Sequence, residues 1–283
     1  MLKSVCLHIN NQCNLQCLHC WSNSGPNGKN VLDMTDIMSF IRTLMPLGLQ
    51  RVSLSGGEPL LHPEIADIVK ELIDKKLKVV ITTNGTKTDF FLNLVLCLSE
   101  SQRRNLEVRV SLDGPENICD SLRGRNVYRK AISSIEAIKS KLGFVAVNSV
   151  VGLEVDIPSW IDFYNVLSRL NVNELAIITF SPRGRGGEFN YYNKDIHLNT
   201  NKVKLLSKNS NFRGRILVWD YLSIEHGYLL VEHDGNVILP GLIDSGDIFL
   251  GSLKSISTKE VSHALVNLRK TLNYSYSYDQ KKN

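Results

Sequence analysis

The feature that most constrains how this chain folds is a regular alternation of short β-branched runs with amphipathic stretches, set out before residue 182. An apolar period of two marks strands and one near 3.6 marks helices, so strict alternation predicts parallel strands joined by helical crossovers. The spacing predicts strands over about 3–10, 51–54, 78–82, 106–112, 143–150 and 174–180. Between them it predicts helices over about 35–46, 63–75, 87–100, 126–141 and 157–170, several opened by signals such as Thr35 and Pro63. With 283 residues, 43% of them hydrophobic, the chain can bury the core this needs. The expected class is α/β: a partial (β/α)6 TIM-like barrel over residues 1–182, with its chemistry in the loops at the C-terminal ends of the strands.

From Ser181 onward the rhythm breaks, because Pro182-Arg183-Gly184-Arg185-Gly186-Gly187 interrupts any regular element. Two apolar runs around Asp234-Gly235 read as a β-hairpin, and a helix over about 258–271 follows. Residues 183–283 are expected to form a small extension of β-hairpin and helix, with the polar stretch 273–283 frayed at its end. Arg183 and Arg185 read as a solvated basic turn, and Tyr191, Tyr192, Tyr274, Tyr276 and Tyr278 as surface or packing residues. Lys and Arg total 33 against 28 acidic residues, an excess too small, and too poor in interleaved aromatics, to predict a nucleic-acid partner. No apolar run is long enough to cross a bilayer, so a cytoplasmic protein without membrane association is expected.

All six cysteines lie at or before Cys119, and three of them crowd into Cys13-Asn14-Leu15-Gln16-Cys17-Leu18-His19-Cys20, the loop after the first strand. Thiols clustered in this way argue for a metal or cluster site in a reducing compartment rather than a disulfide scaffold. A four-iron cube held by three sulfurs keeps one iron free of protein ligands, whereas electron-transfer clusters take four cysteines. The loop alone also admits a zinc site completed by His8 or His19, and three buried thiols with no ligand at all. Further motifs follow at the ends of successive strands: Ser55-Gly56-Gly57-Glu58-Pro59, then Thr82-Thr83-Asn84-Gly85, then Val110-Ser111-Leu112-Asp113-Gly114-Pro115, and after it Arg123-Gly124. Each alone is an ordinary turn; the order, one βα unit apart, is the signal.

In that order these motifs resemble the cysteine loop and the GGEP, TNG and SLDGP elements of the radical S-adenosylmethionine (radical SAM) superfamily, over about residues 1–182. The resemblance implies a [4Fe-4S] cluster on Cys13, Cys17 and Cys20, whose open iron takes S-adenosylmethionine. Reductive cleavage of that cofactor gives a 5'-deoxyadenosyl radical that abstracts hydrogen from a substrate. It also implies a cofactor-binding set: Gly56, Gly57 and Glu58 at the methionyl amine, Asn84 beside them, and Ser111 and Asp113 at the ribose or carboxylate. Arg123 pairs with a carboxylate, Asn148 and Ser181 face the adenosine, and His19 stands where the family carries an aromatic next to adenine.

The stretch Tyr228 to Ser252 resembles the SPASM or twitch extension of enzymes that modify ribosomally made peptides, but Pro240-Gly241 stands where those carry a cluster cysteine. A single cluster is therefore expected, since a second would need Cys6, Cys97 and Cys119 to converge. The resemblance implies a ribosomally synthesised precursor peptide as substrate, modified by epimerisation or an excision of splicing type, with Cys119 as hydrogen donor. It implies a reducing partner such as flavodoxin or ferredoxin. A separate leader-binding protein is expected too, because the barrel pattern starts at residue 3. The alternatives are a radical SAM enzyme acting on a small metabolite, a nucleotide or a sugar, and, from another class, a zinc-stabilised binding module.

Overall fold

A computed structural model describes residues 2–151, 155–188, 196–219 and 228–266. The expected alternation is present. Strand β1 (Ser4–Asn10) is followed by α1 (Met34–Leu44), β2 (Arg51–Gly56), α2 (Ile65–Asp74), β3 (Lys78–Thr83), α3 (Thr88–Leu96), α4 (Glu100–Arg103) and β4 (Leu106–Ser111). Then come α5 (Glu116–Arg123), α6 (Val127–Leu142), β5 (Ala146–Val151), α7 (Ile157–Arg169) and β6 (Glu174–Thr179). After residue 182 lie α8 (Ile196–Leu206), β7 (Arg215–Trp219), β8 (Leu229–Val231), β9 (Asn236–Leu239) and β10 (Ile248–Ser252). Residues 258–266 are helical, while Tyr191, Tyr192, Tyr274, Tyr276, Tyr278 and the end of the expected 258–271 helix lie outside the described residues.

One sheet of ten strands carries the molecule, in the order β10-β9-β8-β1-β2-β3-β4-β5-β6-β7. Pairings from β1 through β7 are parallel, as α/β crossovers require. Beyond residue 182 the sequence suggests antiparallel hairpins, and this holds for β8, β9 and β10 among themselves. Two strands differ from that expectation. β7 is a seventh parallel strand beside β6, and β8 runs parallel to β1 on its other edge, so strands from both sides of residue 182 share the sheet.

The helices form where apolar residues recur on one face. In α2 the buried set is Ile65, Ile68, Val69, Leu72 and Ile73, the i, i+3, i+4 pattern of a stripe pressed onto a sheet. Asp33 caps α1 by accepting from the Thr35 amide, which places the start one residue before the Thr35 signal. The helix expected over 87–100 is two, because Ser99 is extended and opens α4 with a capping box to Gln102.

Period-two burial then sorts each strand. Val5, Leu7 and Ile9 of β1, Val52 and Leu54 of β2, and Val108 and Val110 of β4 are buried in the apolar core with the helices. The alternate residues turn the other way: Ser4, Cys6 and His8, Arg51, Ser53 and Ser55, Arg109 and Ser111 all line one cleft. The main apolar core thus lies outside the strands, and the barrel interior mixes these residues with apolar ones such as Val80, Ile178 and Leu230. Among the described residues no helix is long and apolar enough to cross a membrane.

Candidate active site

The interior cleft, about 590 Å³, opens among the loops that follow the strands, and all three cysteines of the first loop border it. That loop is held by backbone closure. The Cys13 amide donates to the Gly25 carbonyl at 3.0 Å, and the Gly25 amide donates to Asn11 at 3.1 Å. A second set of bonds ties it to the loop after β2, where the amides of Gly57 and Glu58 donate to the carbonyls of Asn10 and Gln12, each at 2.8 Å. A β-carbon on Gly57 would come within 2.1 Å of the Gln12 carbonyl oxygen, and one on Gly56 within 2.3 Å of Asn10's. The two glycines are therefore needed for contact between the two loops, in addition to bordering the cleft.

The thiols sit among backbone and side-chain amides. Burial pushes the Cys13 thiol up to about 12 and Cys17 above its usual range, the latter against the nearby Arg123 charge. The Cys17 and Cys20 sulfurs add to the rise at Cys13, so the three lie close enough to repel as thiolates. Cys13 Sγ receives Asn84 Nδ2 at 3.7 Å and the Leu15 amide at 3.5 Å, and Cys20 Sγ receives the Ser24 amide at 3.4 Å. Three neighbouring sulfurs, those of Cys13 and Cys17 desolvated and those of Cys13 and Cys20 met by amide donors, are a donor set that becomes anionic when iron supplies the positive charge, so the residues fit a [4Fe-4S] cluster. A zinc site fits less well. His19 Nε2 is held by Asp113 at 3.0 Å, and His8 is packed edge-on against Trp21 at 5.4 Å between ring centroids.

Of the expected cofactor-binding residues, His19, Gly56, Gly57, Asn84, Ser111, Arg123 and Asn148 border the cleft. Glu58 and Asp113 are fully buried behind its wall. Glu58 Oε1 accepts from Thr83 Oγ1 at 2.8 Å and the Leu60 amide at 3.2 Å, and Oε2 accepts from the Asn84 amide at 2.8 Å. Burial raises its carboxyl to about 7 despite these donors. Its carboxylate thus braces the turn that aims Asn84, rather than facing the cleft as the resemblance implied. Asp113 takes Arg123 Nε at 2.6 Å and Nη2 at 3.0 Å, His19 Nε2, and the Val150 amide at 2.9 Å. Burial alone would raise its carboxyl, but the charges of Arg123 and His19 hold it well below the usual carboxylate range.

Cys119 departs from its expected role. Its side chain is enclosed in the apolar core on α5 and does not border the cleft, so it has no path to a substrate there. Burial pushes its thiol to about 12. Cys6 lines the barrel interior and Cys97 is exposed at the end of α3, so Cys6, Cys97 and Cys119 occupy three separate places.

The sequence reading missed two arginines. Arg183, expected in a solvated turn, is 1% exposed and bidentate to Asp247, with its guanidinium 4.1 Å from the centre of the Trp21 ring. Arg185 reaches back to the cysteine loop, donating to Cys17 O at 3.0 Å, Ser24 O at 2.7 Å and Asn23 Oδ1 at 3.1 Å. Gly184 between them has φ of +52°, and a β-carbon there would meet the Cys20 carbonyl at 2.5 Å. That glycine, flanked by two arginines, was the legible sign of a tight approach.

A model of the radical SAM superfamily matches residues 7–167 of the chain. A probable GTP 3',8-cyclase of Methanocaldococcus jannaschii is 28% identical over 201 residues, 68% of this chain and 63% of that protein. Mycofactocin maturase MftC of Mycobacterium ulcerans is 28% identical over 188 residues, 65% of this chain and 49% of that one. The chain thus spans roughly half to two thirds of these relatives' length. In fold it is similar to Streptococcus suis SuiB bound to its precursor peptide SuiA, with a TM-score of 0.69 at 15% identity, covering 84% of this chain and 59% of that one. It is also similar to anSMEcpe with bound AdoMet, with a TM-score of 0.62 at 18% identity over 92% and 80% of the two chains. Over its cysteine loop, its strand-end motifs and the greater part of its barrel, this chain belongs to the radical SAM superfamily.

Proposed function

We propose that this radical SAM enzyme acts on a ribosomally synthesised peptide through a single cluster held by Cys13, Cys17 and Cys20, in a modification that needs no external electron acceptor, such as epimerisation or excision. The observation that carries the reading is three thiols, Cys13 and Cys17 among them desolvated, at the mouth of a cleft that also displays Asn84, Ser111, Arg123 and Asn148. A cluster held by Cys13, Cys17 and Cys20 would, when reduced, supply the electron for splitting S-adenosylmethionine into methionine and a 5'-deoxyadenosyl radical. Around it, the chain's own groups bind and orient. Arg123, fixed by Asp113, offers its remaining donor edge to the methionyl carboxylate, and the Asn84 side chain, on the turn that Glu58 holds through the Asn84 backbone amide, borders the same cleft. Ser111 and Asn148 provide hydroxyl and amide groups for the ribose and adenine.

Peptide as substrate is supported by likeness to SuiB, whose structure holds a precursor peptide, and to MftC, a maturase. A second reading, a small metabolite such as a nucleotide, is favoured by the similarity to GTP 3',8-cyclase and by a cleft volume in the range of small-molecule sites. A low-potential one-electron protein of the flavodoxin or ferredoxin kind is the proposed reductant, in a reducing compartment. Anaerobic reconstitution followed by dithionite and S-adenosylmethionine is the test: methionine and 5'-deoxyadenosine form with the wild type and not with Cys17→Ala. Their absence from the wild type removes the reading. Faster release on adding a precursor peptide than on adding nucleotides decides between the two substrate classes.

A further inference from the structure

We infer that the deep end of the cleft is an anion site, in which Arg51 and Arg109 take a carboxylate, the acidic side chain of the peptide substrate. The inference rests on the peptide reading above and adds a substrate class to it. Among the described residues four arginines line the cleft, and no aspartate or glutamate does. Arg123 and Arg185 are committed at the mouth, the one to Asp113 and the other to carbonyls of the cysteine loop. Arg51 and Arg109 stand apart from them. Arg51 opens β2 five residues before that strand ends at Gly56, so its backbone lies about 16 Å below the loop that carries Gly57 and Glu58. Arg51 meets Glu107 of β4, and Arg109 rises from the same face of β4 two residues and about 7 Å further along.

Their counter-ions leave both arginines short of negative charge. Glu107 gives one oxygen to Arg51 and the other to Lys78 Nζ at 2.5 Å. Glu174 gives one to Arg109 and the other to Arg215, whose Nε is 2.7 Å away. Each carboxylate is divided between two cations, so each group keeps a positive charge in excess. Lys78 and Arg215 turn to solvent, with 45% and 69% of their side chains exposed, and water screens them. Arg109 is 5% exposed and has no such screening. Among the described residues its Nη1 meets only Asn148 Oδ1, at 3.5 Å, and the Trp219 ring, 5.4 Å from the guanidinium carbon, holds it in place. A planar guanidinium fork with N–H groups to spare matches a carboxylate. Phosphate fits less well, because phosphate sites draw on backbone amides at helix starts and nests, and the amides of these strands are spent on the sheet ladder. Val80 and Leu230, level with Ser53 and Cys6 on the same wall, suit the methylenes of a side chain.

The test uses the full-length, anaerobically reconstituted protein and two small probes that differ in charge, N-acetylglutamate α-amide and N-acetylglutamine α-amide. Binding is measured by isothermal titration with S-adenosylmethionine present and no reductant. The wild type is expected to hold the glutamate probe about tenfold more tightly than the glutamine probe, and Arg51→Gln and Arg109→Gln to hold both alike. Arg51→Gln leaves Glu107 paired with Lys78, so it decides the matter should a melting curve show that Arg109→Gln folds poorly. Equal binding of the two probes by the wild type overturns the inference, as does a charge preference that survives in the folded variants. Inorganic phosphate that displaces the glutamate probe more readily than acetate does overturns the choice of a carboxylate. Dithionite added to the same preparation reports the radical reading separately. If 5'-deoxyadenosine forms in a wild type that does not distinguish the probes, this inference alone falls; if the charge preference is present and no 5'-deoxyadenosine forms, the anion site stands and the radical reading falls.

Discussion

At the scale of single residues, Asp113 is the hub, because one buried carboxylate holds Arg123, His19 and the end of β5 at Val150. Asp113→Asn removes the charge and leaves a buried guanidinium without its counter-ion, a change costing about 3 kcal/mol or more. A lower melting temperature together with weaker S-adenosylmethionine binding is the expected result. The pH sign follows from the depressed carboxyl. Its contribution is fully present above the unfolded-state value of 3.8 and is lost as pH falls below it, so the variant's stability is expected to vary less with pH in the acid range than the wild type's. Glu58→Ala leaves the Asn84 amide without its acceptor, at about 1–3 kcal/mol, and lets the turn beside Cys13 drift; thermal unfolding and cofactor affinity both report it. The identities of both acids were legible from motif order, but their orientation was not. A motif tells which residues meet, whereas the direction of a carboxylate depends on which donors reach it first, and here the Asn84 amide comes from the end of β3 and Arg123 from the far end of α5.

The elements show the same division between what a pattern fixes and what distance in the chain hides. Strands β1 to β6 and the long helices were readable because each is a local period of apolar residues, as in α2. β7 was not, since its five residues Arg215–Trp219 carry a charged start and partly exposed side chains, and only pairing with β6 makes a strand of them. The arginine turn was hidden for a related reason. Glycine and arginine in alternation look solvated until the chain folds back onto Trp21 and the cysteine loop. Arg185→Ala deletes three bonds that pin that loop, worth about 2 kcal/mol together in a partly exposed setting, and is expected to lower the iron retained after reconstitution. Arg185→Lys is expected to recover little of it, because one ammonium cannot span three acceptors in the plane a guanidinium covers. Iron per chain, read beside a melting curve, checks both variants.

Over the whole molecule, the continuous sheet is what ties the C-terminal part to the barrel. β8 covers the edge of β1 with a parallel pairing at Val5, Cys6 and Leu7. A chain ended after Trp219 is expected to bare that edge, with its row of unpaired amides, and to aggregate, as light scattering during refolding would register. Were such a truncated chain to stay monomeric with an intact melting transition, β8 would be a mere passenger. The location of the hairpin was legible from Asp234-Gly235, but its docking beside β1 was not, because pairing across more than two hundred residues leaves no local trace in sequence.

The placement of Arg183 and Arg185 bears on any attempt to build hybrids from such enzymes. A crossover at residue 182 would look clean on paper, yet both guanidinium groups travel with the incoming half while Trp21 and the Cys17 carbonyl stay with the resident one. A donor half without arginines at matching positions would leave the cysteine loop unfastened, so exchange of the C-terminal part demands that the seam be moved downstream of residue 188 or that the pair be carried across by design.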